Sequence, residues 1–146
     1  MRPAVFFDIG DTLATAVVEG GHLSGLEVYP FVPEVLARLR DDDAALGLIS
    51  NTGNETAATL TKVLDDAGLS ELVDAELCLF SSIEGMDKSQ PAFFKLAAQR
   101  ASLPTARCVY VGENAEERKT AASVGFHVSP HPLHALHLVA AEFAVP

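Results

Sequence analysis

Four groups of polar residues in this chain each follow an apolar run, and their types suit chemistry on an anion. Asp8 follows Val5-Phe6-Phe7 and leads into Ile9-Gly10-Asp11-Thr12. A carboxylate at the end of a buried strand has two chemical uses, nucleophile or hard-cation ligand, and one Asp can serve as both. The plainer alternative is a turn cap, a common use of Asp. Ser50-Asn51-Thr52-Gly53-Asn54 follows apolar residues 45–49 and offers hydroxyls and backbone N–H groups to an anion. The same residues equally suit a helix start, with Asn54 as its N-cap. Lys88 stands just before the helix that Pro91 opens, near its positive end, where the macrodipole disfavours a cation unless it reaches an anion. A solvated lysine is the alternative there. Glu113, Glu116 and Glu117 follow residues 107–111. They suit a charged first helical turn, or carboxylates returning to the edge that holds Asp8 to complete a cation site.

The elements that must position these groups follow from the apolar pattern. Residues 5–7, 45–49, 76–80, 107–111 and 126–128 read as strands, and the longer apolar runs among them suit burial on both faces. Helices are expected at 55–67, from Pro91 onward, and from about Pro132 to Phe143. A further helix begins near Pro33, with Val35, Leu36 and Leu39 as its apolar face. Gly68 should close the helix over 55–67. Residues 14–30 are long for a strand-to-helix connection and suggest a flap hairpin turning at Gly20-Gly21. Alternating strands and helices make a doubly wound parallel α/β domain, in which ligands bind at the carboxyl ends of the strands. His131, His134 and His137 recur every third residue among small apolar neighbours, without the carboxylates that usually support metal-bound imidazoles. A solvent-facing helical stripe is expected of them.

With 146 residues, 49% hydrophobic and 21% charged, the chain is expected to fold as one globular domain. A formal charge of −10 argues against nucleic-acid and anionic-membrane surfaces, which need a basic face. No apolar run approaches the roughly 20 residues of a membrane span, and a signal-peptide pattern is lacking, so the expected location is cytoplasmic. Cys78 and Cys108 sit inside strand-like runs and read as small buried hydrophobes rather than a disulfide.

Asp8, Ser50, Lys88 and Glu113 with Glu117, in that order and spacing, resemble the motifs of the haloacid dehalogenase-like (HAD) hydrolase superfamily over nearly the whole chain. The resemblance implies a Rossmann-like sheet of five parallel strands in the order 3-2-1-4-5. It implies Asp8 as the nucleophile that forms an aspartyl-phosphate, with Ser50, Asn51 and Lys88 around the phosphoryl group. It also implies a Mg²⁺ site from Asp8, the carbonyl of Gly10, Glu113 and Glu117; Asp11 and Thr12 are secondary site candidates, Asp11 as a substitute acid/base if the turn allows it. Ser89 stands where the family commonly has a proline after the lysine.

One departure bears on activity. Gly10 occupies the position of the Asp that serves phosphatases of this family as general acid/base. Losing such a group typically costs about 10²–10⁴-fold in rate. Three readings stay open: a slow phosphohydrolase or one acting on good leaving groups such as acyl or aryl phosphates, a non-catalytic binding or regulatory module, and metal-independent dehalogenase chemistry. The short spacings between motifs leave no room for the cap domain that many relatives carry. A capless site is expected to admit a phosphorylated small molecule or an exposed phosphate on a larger substrate, or to be covered by the C-terminal helix or a second copy of the chain.

Overall fold

A computed structural model of the protein describes residues 2–143. A buried parallel sheet is built from β1 (Ala4–Phe7), β4 (Ala45–Ser50), β5 (Cys78–Phe80), β6 (Cys108–Val111) and β7 (His127–Ser129). Its order is β5-β4-β1-β6-β7. Counted among the five sheet strands alone, this is 3-2-1-4-5. Phe7 lies in register with Leu48 on one side and Val111 on the other, so β1 and β6 end level while β4 runs two residues further, to Ser50.

Two-residue alternation divides the core between the faces of the sheet. Val5, Phe7, Leu46, Leu48, Val109 and Val111 face α1 (Val32–Asp41), α2 (Ala57–Asp66) and α6 (Pro132–Phe143). Ala4, Phe6, Cys108 and Tyr110 face α4 (Pro91–Arg100) and α5 (Ala115–Ser123), where Phe93, Phe94 and Phe126 fill the layer. One central strand approaches its neighbours too closely for a side chain. A Cβ on Gly47 would stand 2.3 Å from the Leu77 carbonyl oxygen.

Between β1 and α1 the chain makes the expected hairpin, β2 (Ala14–Glu19) and β3 (His22–Val28). Gly20 and Gly21 both have positive φ, +57° and +79°, which suits the tight primed turns of two-residue hairpins. The short helix α3 (Ser81–Glu84) follows β5 and closes on Gly85 at φ +72°.

Some boundaries differ from expectation. The helix expected over 55–67 begins at Ala57, and its cap is Thr56, whose Oγ1 accepts from the Thr59 N–H at 3.2 Å; Asn54 lies outside it. Glu55 is drawn instead toward the flap. Residues 75–77 form a 3₁₀ turn, which shortens the third sheet strand to Cys78–Phe80. Gly68, at φ +77°, does follow the end of α2. Cys78 and Cys108 are free thiols on β5 and β6, with β4 and β1 between them; burial pushes them up to about 11 and about 12.

The three histidines are all exposed, as expected of a surface stripe. His131 stacks on Phe31 and accepts from the Leu133 N–H at 3.1 Å, while His134 Nδ1 lies 2.8 Å from Ser129 Oγ. Among the described residues no helix is long and apolar enough to cross a membrane.

Candidate active site

The carboxyl edge of the sheet is where the polar groups meet. The Asp8 N–H continues the ladder by donating to the Val111 carbonyl at 2.9 Å. Immediately beyond it the chain winds into one tight turn. Ile9 O accepts from the N–H groups of Thr12, Leu13 and Ala14 at 3.2, 2.9 and 3.1 Å. Asp11 takes the left-handed conformation at φ +62° within this turn and is exposed. It does not line the cavity that Asp8 and Gly10 line. The turn therefore carries Asp11 away from the place a general acid would need to occupy. Thr12 is buried, and its Oγ1 has no hydrogen-bond partner among the described residues.

Lys88 is the centre of the cluster. Only 2% exposed, it donates from Nζ to Asp8 Oδ1 at 2.7 Å and pairs with Glu117 Oε1 at 2.9 Å. Its backbone N–H donates to Asn51 Oδ1 at 3.0 Å, which ties the loop after β4 to the lysine. Tyr110, one residue before the end of β6, donates its hydroxyl to Glu117 Oε1 at 2.9 Å and lies 3.3 Å from Lys88 Nζ. Gly112 makes room for that ring, because a Cβ there would stand 2.5 Å from Tyr110 Oη. Burial, then the charges of Asp8 and Glu117, hold the phenol far above its ordinary range, so it remains a neutral donor. Asp8 titrates above an ordinary aspartate; burial outweighs the stabilisation that Lys88 gives its charged form.

Ser50 is 7% exposed at the end of β4 and lines the same cavity as Asp8 and Lys88. Thr52 anchors the loop, donating its N–H to Ser81 Oγ at 2.8 Å and sharing a 2.7 Å contact with Ser82 Oγ. Asn114 caps α5 by accepting from the Glu117 N–H at 3.0 Å, which places Glu117 in the first turn. Glu113 is exposed and outside the cavity lining, though its charge is felt at Tyr110. Among the described residues no three His, Cys, Asp or Glu side chains gather as a metal cluster.

The cavity above this floor has a volume of about 540 Å³. Its sides come from the flap and α2, and α6 does not line it. The flap tip is tied down by Glu55, which accepts from the Leu23 N–H at 2.9 Å and lies 3.5 Å from His22 Nδ1. Tyr110 and Glu55 were not among the residues singled out from the sequence. The only sequence signal for Tyr110 is a hydroxyl placed one residue from a strand end, beside Gly112.

Fold and site together define a Rossmann-like α/β domain, without a cap, whose central strand ends in a buried aspartate paired to a buried lysine. The haloacid dehalogenase-like hydrolase family model matches residues 15–125, and the chain belongs to that family. The match takes in Ser50, Lys88, Glu113 and Glu117 and begins after Asp8. The carbamoyl phosphate synthase large chain of Methanothrix thermoacetophila is 23% identical over 124 residues, 84% of this chain and 12% of that one. The chain thus spans a small fraction of the length of that curated relative. Among solved structures, the D,D-heptose 1.7-bisphosphate phosphatase of B. bronchiseptica, complexed with magnesium and phosphate, superposes with a TM-score of 0.74 at 16% identity. That likeness covers 97% of this chain and 99% of the other. The L-2-haloacid dehalogenase of Xanthobacter autotrophicus gives a TM-score of 0.68 at 16% identity, over 88% of this chain and 76% of its own. Identities this low speak to the shared fold alone.

Proposed function

We propose that the protein is a magnesium-dependent phosphohydrolase in which Asp8 attacks phosphorus. The observation that carries this reading is the burial of Lys88 between Asp8 and Glu117 at the floor of a cavity that Ser50 also lines. In the step proposed, an Asp8 carboxylate oxygen forms a bond to phosphorus while the bond from phosphorus to the leaving oxygen breaks. Water then attacks the same phosphorus, which releases phosphate and restores Asp8. Lys88 and Ser50 supply the positive charge and the hydroxyl that suit equatorial phosphoryl oxygens.

The donor set also suits a hard cation. Two carboxylates and one ammonium leave the cluster with one net negative charge, so a phosphate dianion would be repelled without further positive charge. Mg²⁺ commonly takes one or two carboxylates plus substrate phosphate and waters, so a cluster of three acidic side chains is not required. Glu117 Oε1 already accepts from Lys88 and Tyr110, which suits Glu117 to positioning the lysine. Asp8 and the Gly10 carbonyl, which line the cavity, are the groups we assign to the ion. Glu113, exposed outside that lining, is the further carboxylate that would have to swing in to join them. Bound there, the ion would offset the charge of the phosphoryl oxygens.

Gly10 brings no acid to the leaving group, and Asp11 lies outside the cavity, so the reading favours leaving groups that depart without a proton. The test is turnover of acyl, aryl and alkyl phosphates with Mg²⁺, set against Asp8→Asn, together with metal-dependent binding of beryllium fluoride. Turnover lost in Asp8→Asn supports the reading. Absence of both turnover and fluoride binding would overturn it in favour of a binding module, and metal-independent halide release from 2-haloacids would point to dehalogenase chemistry.

A further inference from the structure

We propose, resting on the hydrolase reading above, that the chamber between the flap and α2 is a leaving-group pocket for small aryl phosphates. Two independent observations converge on that class. The first is the chemistry of the walls. Ala16 pairs with Leu26 and Val18 with Leu23 across the hairpin, and all four line the cavity. The register shift between Val17 and Val18 is what puts Leu23 and Leu26, three residues apart, onto one side of the ribbon. Leu60 and Val63 of α2 oppose them. The chamber is therefore apolar on its flap and α2 sides, between a charged floor at Asp8 and Lys88, the polar loop of residues 50–54 and a polar rim at His22 and Glu55. The pin from Glu55 to Leu23 holds the flap over it. Its volume of about 540 Å³ is ample for an aromatic ring. A sugar or polyol phosphate would set the hydroxyls that face the flap and α2 against apolar side chains, which binding disfavours.

The second observation is the missing acid. With Gly10 at that position and Asp11 outside the cavity lining, neither residue offers an acid to a departing alkoxide. A phenol is acidic near pH 10, as in tyrosine, and leaves as its anion far more readily than an alkoxide. The apolar wall and the absent proton donor select the same leaving group.

The test uses the whole protein with MgCl₂ and reads binding and turnover separately. Benzylphosphonate and methylphosphonate carry the same head group and cannot be hydrolysed; 2-naphthyl and phenyl phosphate have leaving groups of similar acidity but different apolar area. The expected result is about 10-fold tighter binding of benzylphosphonate and about 10-fold higher kcat/KM for the naphthyl ester. Leu26→Ser, at a half-buried flap position, should erase most of both ratios. Equal affinity for the two phosphonates would overturn the pocket even if turnover stands. Ratios unchanged in a folded Leu26→Ser protein would overturn it as well. A preserved phosphonate preference with no turnover would keep the aryl site and refute hydrolysis, so the two readings fail separately.

Discussion

Replacing Lys88 by Met tests the electrostatics of the cluster directly. Met matches the lysine stem in length and apolar character, so the substitution removes charge with little change in packing. It leaves Asp8 and Glu117 facing each other across a gap no wider than the two contacts Lys88 now makes, 2.7 and 2.9 Å laid end to end. At an effective dielectric of about 20, two like charges roughly 5 Å apart repel by about 3 kcal/mol. Removing one partner of a buried pair usually costs about 3–5 kcal/mol, in line with that figure. The cost should depend on pH, with a definite sign. Lys88 lowers the Asp8 pKa and burial raises it. Without the lysine, the folded-state pKa rises further above the 3.8 of an ordinary aspartate. A raised folded pKa favours the folded state at low pH, and that benefit disappears as pH rises through it. Urea unfolding in EDTA should therefore show Lys88→Met close to the unaltered protein near pH 4 and about 3–5 kcal/mol less stable at pH 8. A loss below about 1 kcal/mol that is the same at both pH values would refute the idea that this ammonium is the counter-charge.

Three further outcomes follow from the same geometry. Gly10→Asp should raise turnover of alkyl phosphates by about 10²-fold while shifting the urea midpoint little, because Gly10 does not have positive φ and a Cβ there meets nothing within 4 Å. In the metal-free protein the Asp8 carboxyl should titrate above the 3.8 of an ordinary aspartate because burial disfavours its charged form, measurable by NMR titration of its carboxyl carbon in EDTA. Gly47→Ala should destabilise the fold by more than about 2 kcal/mol without altering the active-site chemistry, since its Cβ would meet the Leu77 carbonyl at 2.3 Å and Phe6 Cδ1 at 2.9 Å; thermal unfolding checks it.

The sheet could be read from the sequence because its strands are near-continuous apolar runs, and a run such as Val5-Phe6-Phe7 has few other folded uses. The flap could be read from Gly20-Gly21, which only a tight turn explains well. Less could be read where long-range contacts decide the outcome. Lys88 lies 80 residues from Asp8, and a local reading leaves it between a solvated lysine and one that reaches an anion; its burial depends on three other chain segments. Tyr110 reads as one more aromatic in an apolar strand, and its hydroxyl acquires a role only through the placement of Glu117 on α5. Glu55 looked like the first turn of a helix, but the flap takes its carboxylate and the helix starts two residues later, at Ala57, capped by Thr56.

Stability alone gives a poor account of the cluster. A buried ion pair seldom outperforms well-packed apolar residues of the same volume, because both charges must be removed from water. The aromatic layer around it offers an easy alternative: Phe94 already packs edge-on against Tyr110 at 5.1 Å, and an apolar residue at position 88 would extend that layer. The chain instead carries a nearly sealed lysine between two carboxylates, a tyrosine that holds one of them, and a glycine at position 112 that admits the tyrosine ring. Desolvating these charges costs folding energy that their mutual pairing only partly offsets, and a partner at the mouth of the cavity would use the alignment. A group carrying negative charge, arriving with a cation, meets all of them at once. On the reading proposed above, the lysine, Asp8 and the aligned carboxylate make physical sense together as an anion site, with Gly10 leaving it without a carboxylate at position 10.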